Sequence, residues 1–469
     1  MTQPQAIHWF RQDLRLDDNP ALAQAVQQGV VLPVYILDDI NSHEYKMGGA
    51  SRVWLHHSLN SLNKSLQNKL SLFKGNPIEV LQHLCEKHHI KMVTWNRCYE
   101  PWRIARDTEI KTKLTGHDIQ VISCNGSLLW EPWTVLKSNQ EPYHVFTQFY
   151  RKGCLKTAPP RQPIEPVHVS AFKDSESLAL EALDLLPRIK WDSQMLEHWA
   201  IGEEGAQESL QRFIEQGLSD YKKSRDFPAL NYVSRLSPHL HFGEISPHRV
   251  WYSILQQENS KNREHYCSEL GWREFSHHLL FHHQDLPSQN LQPKYDQFPW
   301  GDDPSHLKAW QTGQTGIPFV DAGMRELWQT GYMHNRARLI VGSYLTKNLR
   351  LDWRHGERWF WDCLFDADLA NNAASWQWVA GTGADAAEYV RIFNPVIQGH
   401  KFDPDGDYVR HYVPELKDLP IQHLFSPWDA SPEVLEKAGI KLGKNYPYPI
   451  VDFKTSRDVT VKMVEALDG

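Results

Sequence analysis

The sequence predicts an α/β N-terminal domain, doubly wound about a parallel sheet, followed by an all-α C-terminal domain. Three observations carry this expectation. Short apolar runs alternate with helix-like stretches in the first part of the chain. A proline-rich segment interrupts the pattern. Beyond about residue 200 the apolar spacing becomes that of helices.

The runs Ala6 to Phe10, Val30 to Leu37, Lys91 to Trp95 and Ile119 to Ser123 read as strands. Ser51 to Leu70, Pro77 to His88 and Glu100 to Leu114 read as the helices between them. Strands that are apolar throughout are buried on both faces, and helical crossovers supply the cover. This domain is placed at 1–135. Four prolines lie between Pro159 and Pro166, which argues against regular structure, and 136–200 reads as a connector. Glu203 to Leu218, Tyr266 to His283, Pro318 to Thr330, His334 to Leu349 and Glu357 to Trp378 carry the 3.6-residue spacing. They place a helical domain at 201–469. No internal repeat is present.

Composition narrows the classes. Of 469 residues, 41% are hydrophobic and 23% charged, enough to build a large core. No apolar run reaches the roughly 18 residues that span a bilayer, and the N-terminus lacks a signal-peptide pattern. A soluble, cytoplasmic protein is expected. Lys and Arg number 50 against 57 Asp and Glu, for a net charge of −7, which excludes a wholesale basic protein. Cationic charge is nonetheless local: 334–358 holds six basic against two acidic residues, with Trp353 among them. Such a stretch is either a nucleic-acid footprint or a solvated helix face. The six cysteines form no CxxC pair, and no histidine cluster has metal-ligand spacing, so no metal is expected. Nineteen tryptophans serve as core packing, as a stacking surface for bases or as an electron path.

Several helical stretches carry polar groups of a kind that lines a cavity. Tyr266, Glu269 and Arg273 stand at i, i+3 and i+7, with Trp272 beside them. Asp368, Asn372 and Trp376 fall at i, i+4 and i+8, one stripe of a predicted helix. Asn335 and Arg338 stand three apart. In Val233-Ser234-Arg235-Leu236-Ser237, two hydroxyls flank a guanidinium, which suits either phosphate oxygens or a helix cap. Gly381, Gly383 and Ala386 spell GxGxxA but follow a helix, so the dinucleotide-binding context is missing.

Taken together the segments resemble the DNA photolyase/cryptochrome family, in particular its bacterial class I cyclobutane-dimer photolyases. WFRQDLRLDDNPAL at 9–22, then SRLSPHLHFGEISP, WREF, TGIPFVDAGMREL, GYMHNRARL, DADLANNAASWQW, GADAA, RIFNP, KFDPDGDYVRHYVPEL and YPIVD follow in the family's order. The resemblance implies an N-terminal antenna domain and a helical FAD-binding domain. It implies that Tyr221, Val233, Ser234, Arg235, Leu236 and Ser237 hold the FAD phosphates and adenosine end, with Tyr266 and Arg273 adding further contacts. Arg338 would pair with Asp366 beside the flavin ring, Asp368 would hydrogen-bond the ring, and Asn372 would face its N5. Asparagine there implies a flavin kept fully reduced, hence repair.

The resemblance further implies a flipped-out cyclobutane pyrimidine dimer as substrate, since such chemistry requires the base outside the stack. Glu269 would hydrogen-bond the lesion, with Trp272 and Trp378 stacking on it and Leu339 against it. Arg225, Asn335, Arg336 and Gln398 would touch the DNA strand. Trp376, Trp353 and Trp300 would form an electron chain to oxidised flavin. The alternatives are a 6-4 photolyase, which Glu269 and Leu339 oppose, and a cryptochrome-type photoreceptor, which Asn372 opposes. Departures from the family pattern are Leu339 for methionine, Val233 for threonine, Glu388 for proline and Val390 for phenylalanine. The segment KMGGASRVWLHHSL at 46–59 implies an 8-hydroxy-5-deazaflavin antenna, with methenyltetrahydrofolate as the alternative. UV-damaged DNA is the expected partner, and the protein is expected to act as a monomer without membrane association.

Overall fold

The computed structural model describes residues 3–385 and 391–467. Five parallel strands form one sheet: β1 (Ala6–Phe10), β2 (Val31–Leu37), β3 (Ser71–Lys74), β4 (Met92–Asn96) and β5 (Gln120–Cys124). Their order is β3-β2-β1-β4-β5, so the winding reverses between β1 and β4. The crossovers are α1 (Pro20–Val26), α2 (Gly49–Ser65), α3 (Pro77–His88) and α4 (Pro101–Gly116). α1, α3 and α4 each begin on a proline, whose missing N–H costs nothing there.

Successive strand residues point to opposite faces. Ala6 and Phe10 join Val31, Tyr35 and Leu37 in a core with residues of α1 and α2. Ile7 and Trp9 join Leu32, Val34 and Ile36 in a second core with residues of α3 and α4. Two apolar faces explain why these strands read as unbroken apolar runs, and the doubly wound expectation is met.

The sequence reading missed β3. It extended the second helix to Leu70, but α2 stops at Ser65 and the chain turns through Gln67 and Asn68, both at positive φ. β3 is a four-residue edge strand, and only its first two residues are buried. Too little apolar pattern remained to read.

The chain packs as two units. The first comprises 1–219, 234–284 and 365–370; the second comprises 220–233, 285–364 and 371–469. In the first unit the later part of the connector packs on the sheet and its helices: Val31 pairs with Ala171, and Leu183, Leu185 and Met195 join the α2-side core. The long helix there is Lys261–His282, five residues earlier in its start than the sequence indicated. Ser260 caps it by accepting from the Arg263 N–H.

In the second unit Pro318–Thr330 matches its expectation. The stretch from His334 is helical through Ser343 and then widens into a π-turn at Tyr344–Asn348. The expected single helix from Glu357 to Trp378 is two helices, Trp353–Cys363 and Leu369–Ala380. The break comes at Leu364, whose backbone is extended, and the Asp366 and Asp368 carboxylates beyond it face side chains distant in sequence. Asp368 therefore precedes the helix, and the expected three-residue stripe reduces to Asn372 and Trp376.

Among the described residues, no helix is long and apolar enough to cross a membrane, and no group of three or more His, Cys, Asp or Glu is placed to hold a metal ion. The six cysteines are free thiols.

Candidate functional site

The first unit, taken by itself, holds one set of groups. Arg235 is a non-glycine residue at φ 53°, and its guanidinium lies 4.3 Å from the centroid of the Trp199 ring. The turn it makes carries Ser234 and Ser237 on either side. Ser234 hydrogen-bonds the buried Tyr266, whose phenol burial pushes well up and keeps neutral. Ser237 donates to Asp366 Oδ2 at 2.6 Å. Asp368 lies 3.6 Å from both His241 Nδ1 and His277 Nε2. Burial pushes the His277 imidazole down, so it is neutral at pH 7.

The Lys261–His282 helix brings Tyr266, Glu269, Trp272 and Arg273 onto one element, as the spacing indicated. Glu269 lies 3.7 Å from His265 one turn away. Trp272 stacks on Phe146 with centroids 3.8 Å apart and planes 13° from parallel. Arg273 pairs with Glu274 at 3.0 Å. Glu274 is fully buried, which pushes its carboxyl up to about 7, while the Arg273 guanidinium and the Trp130 N–H counter that rise.

The second unit, taken by itself, holds its own set of groups. The Asn372 Nδ2 donates to the Glu357 carbonyl at 3.0 Å. That bond fixes the amide orientation and leaves Oδ1 as the acceptor this side chain presents. Glu357 is itself buried, which pushes its carboxyl up to about 8. One turn beyond Asn372, Trp376 is 3% exposed and its Nε1 has no partner among the described residues. It meets Phe360 edge-on at 4.9 Å and Trp310 at 6.1 Å. Trp353 is fully buried and donates from Nε1 to Asn290 at 2.9 Å. Trp300 is half-buried beside Phe298, at 4.5 Å.

Two groups that sequence reasoning missed hold this helix. Gln377 is fully buried; its Nε2 donates to the Leu286 and Gln289 carbonyls at 2.6 and 2.7 Å, and its Oε1 accepts from the Leu291 N–H at 2.9 Å. Lys347 reaches the Ala380 carbonyl at the C-terminal end, where a cation is favoured; burial pushes its amine down to about 8. Neither residue carries a local sequence signal, because their partners are backbone carbonyls far along the chain.

The strand-contact candidates of this unit combine arginines with aromatic rings. Arg336 pairs with Asp226 at 2.6 Å and lies 4.2 Å over the Phe402 ring. Arg225 lies 5.5 Å from the buried Tyr221 ring. Asn335 is exposed, while Gln398 and Leu339 are partly exposed. Arg338 turns its Nε to the Met333 carbonyl at 2.7 Å, and Arg391 lies 5.7 Å over Trp378. Glu388, Val390 and Ala386 lie outside the described residues.

Residues 6–167 match the family model described as DNA photolyase, and 266–466 match the FAD binding domain of DNA photolyase. The chain belongs to the DNA photolyase/cryptochrome family. A deoxyribodipyrimidine photo-lyase of Agrobacterium fabrum is 45% identical over 463 residues, 96% of each chain. Cryptochrome-2 of Arabidopsis thaliana is 38% identical over 98% of this chain and 78% of that one. Among solved structures, a bacterial class III photolyase from Agrobacterium tumefaciens superposes with a TM-score of 0.94 at 43% identity, covering 100% of this chain and 98% of that one. The comparisons thus show the family but not the class I subgroup.

The family's helical domain carries FAD, and the groups present fit it. The Arg235 guanidinium, in a turn with the Ser234 hydroxyl beside it, suits diphosphate oxygens. The committed amide of Asn372 leaves an oxygen suited to a ring N–H.

Proposed function

We propose that this protein is a light-driven photolyase that splits cyclobutane pyrimidine dimers in UV-damaged DNA. The observation that carries the reading is the orientation of Asn372. With Nδ2 bonded to Glu357, its Oδ1 accepts, and an acceptor favours the flavin state that bears a proton on N5. The reduced forms of the flavin bear that proton and the oxidised form does not, so the amide favours reduction, which repair requires.

Bound reduced FAD supplies a light-excited one-electron donor. A cyclobutane ring has no proton whose removal opens it, so the side chains here bind and orient. Glu269 accepts from the imide N–H edge of the flipped base. Trp272 and Trp378 offer indole faces to the two pyrimidines, and Leu339 adds an apolar wall of about the volume of methionine. Arg225, Asn335, Arg336 and Gln398 hold the strand through phosphates, which position without reading sequence. Trp376, Trp353 and Trp300 return electrons to oxidised flavin, and Tyr221, Val233, Leu236, Tyr266, Arg273, Arg338, Asp366 and Asp368 complete the flavin set.

The antenna reading rests on the carboxyl ends of the strands, where open α/β sheets bind ligands. Arg11 pairs with Asp107 and lies 4.6 Å over Trp9; Arg106 pairs with Asp38 at 3.0 Å; Arg52 pairs with Asp39 at 2.5 Å. Paired guanidiniums and carboxylates give this end of the sheet the polar groups that a flat polar heterocycle would need, 8-hydroxy-5-deazaflavin first and methenyltetrahydrofolate second. The likeness to the class III chain favours that subgroup over class I. The protein acts as a monomer in the cytoplasm on this reading.

A second reading, a blue-light photoreceptor, draws on the plant cryptochrome relative. Expression in UV-irradiated bacteria lacking their own photolyase separates the two. Survival restored under blue light and not in the dark supports repair; equal survival in both refutes it.

A further inference from the structure

The aromatic segment Tyr143 to Tyr150 has no assigned role in the reaction, yet it underlies one of the proposed lesion contacts. Phe146 lies face to face with Trp272, at 3.8 Å and 13°. Its ring also runs parallel to Tyr150, at 5.7 Å and 10°. Tyr150, Phe146 and Trp272 are thus three nearly parallel rings in sequence. Phe275 closes the edge, meeting Phe146 at 6.0 Å and Trp272 at 5.8 Å. Phe146, Tyr150 and Phe275 are all buried, whereas Trp272 is only partly so.

The approach is close enough to constrain the backbone. A Cβ at Gly271 would lie 2.5 Å from the Tyr150 ring, so the helix must present glycine immediately before Trp272. Phe146 therefore covers one face of the indole on a rigid base. A partly exposed indole fixed this way has one face left to offer. An unbacked tryptophan would have to be immobilised when a base stacks on it, and that ordering weakens binding.

We propose that Phe146 is a positioning residue for lesion recognition, holding Trp272 in one plane so that its open face receives a flipped pyrimidine. The proposal rests on the reading of Trp272 as a lesion contact. Phe146 acts only through the indole. Its loss weakens binding of damaged DNA and leaves undamaged DNA untouched, since the latter is held by phosphate contacts.

The test uses the full flavin-loaded chain and fluorescence anisotropy with two oligonucleotides, identical except for one thymine dimer. Phe146→Leu removes the flat partner. It is expected to weaken dimer binding roughly two- to tenfold, the range for one further side chain that binding must order. Binding of the undamaged oligonucleotide should stay within about twofold, while Phe146→Tyr, which keeps the stack, should bind the dimer like the parent. Should the leucine variant not fold, Phe146→Met fills the space without a plane and is expected to give the same loss. Trp272→Ala is measured alongside. If it loses dimer affinity while Phe146→Leu does not, or if Phe146→Leu weakens both oligonucleotides equally, the positioning role is overturned. If Trp272→Ala binds the dimer like the parent, the lesion-site reading itself falls, and the proposal with it.

Discussion

Gly356→Ala should destabilise the protein and slow flavin photoreduction together. In an exposed helix interior the same change is stabilising by up to about 1 kcal/mol. Here the added Cβ would lie 2.1 Å from Trp376 Cη2 and 2.5 Å from two further carbons of the same ring. Ordinary carbon contacts begin near 3.5 Å, so the ring or the helix must shift by about 1.4 Å. The ring has little room to yield, with Phe360 edge-on at 4.9 Å and the fully buried Trp310 at 6.1 Å. Overpacking of this kind costs about 1–3 kcal/mol, and the rigid aromatic surround points to the upper part of that range. Net of the helix gain, a loss of roughly 1–2 kcal/mol remains, or a fall in Tm of about 1–2 °C for 469 residues unfolding together. Thermal unfolding reads the first effect, and bleaching of oxidised flavin under blue light with an external reductant reads the second. Repair by chemically reduced protein should persist, because it does not use Trp376 as an electron relay. A variant that melts at or above the parent and photoreduces at the parental rate would refute the packing argument.

Glu269→Ala should cut repair while FAD stays bound; loss of flavin on purification would instead move Glu269 into the flavin set. Trp376→Phe should abolish photoreduction of oxidised flavin and spare repair by chemically reduced enzyme, as followed by absorbance and product analysis. Glu357 binds a proton in the folded state up to about pH 8 but, unfolded, only up to about 4.3, so its contribution to stability falls as pH rises through that window. Glu357→Gln should therefore gain stability relative to the parent at pH 8 compared with pH 5, and equal melting shifts at both would exclude a buried neutral carboxyl. Raising salt should weaken DNA binding with a linear log–log slope, as release of counterions requires.

Much of the fold was legible because its signals are local. β1 and β2 are apolar on both faces, so their runs stand out, and proline marks the starts of α1, α3 and α4. β3 escaped because it is a short edge strand behind an Asn68 turn. The break at Leu364–Asp368 escaped because apolar spacing continues across it, while its aspartates look like site residues. In the site, Asn372 and Trp376 were legible as an amide and an indole one turn apart in an alanine-rich helix. Gln377 and Phe146 were not. Gln377 takes its meaning from carbonyls at 286 and 289, and Phe146 from a ring on the Lys261–His282 helix. Such contacts exist only after folding, and nothing in the adjacent sequence marks them.

The most direct test of the account is repair of an oligonucleotide carrying one cyclobutane thymine dimer, by flavin-reduced protein, in blue light and in the dark, beside a 6-4 substrate. Chromatography of the products reads the outcome. The account predicts restored thymines from the cyclobutane dimer in light alone and an unchanged 6-4 lesion. An intact dimer after illumination, from protein with reduced FAD bound, would contradict it.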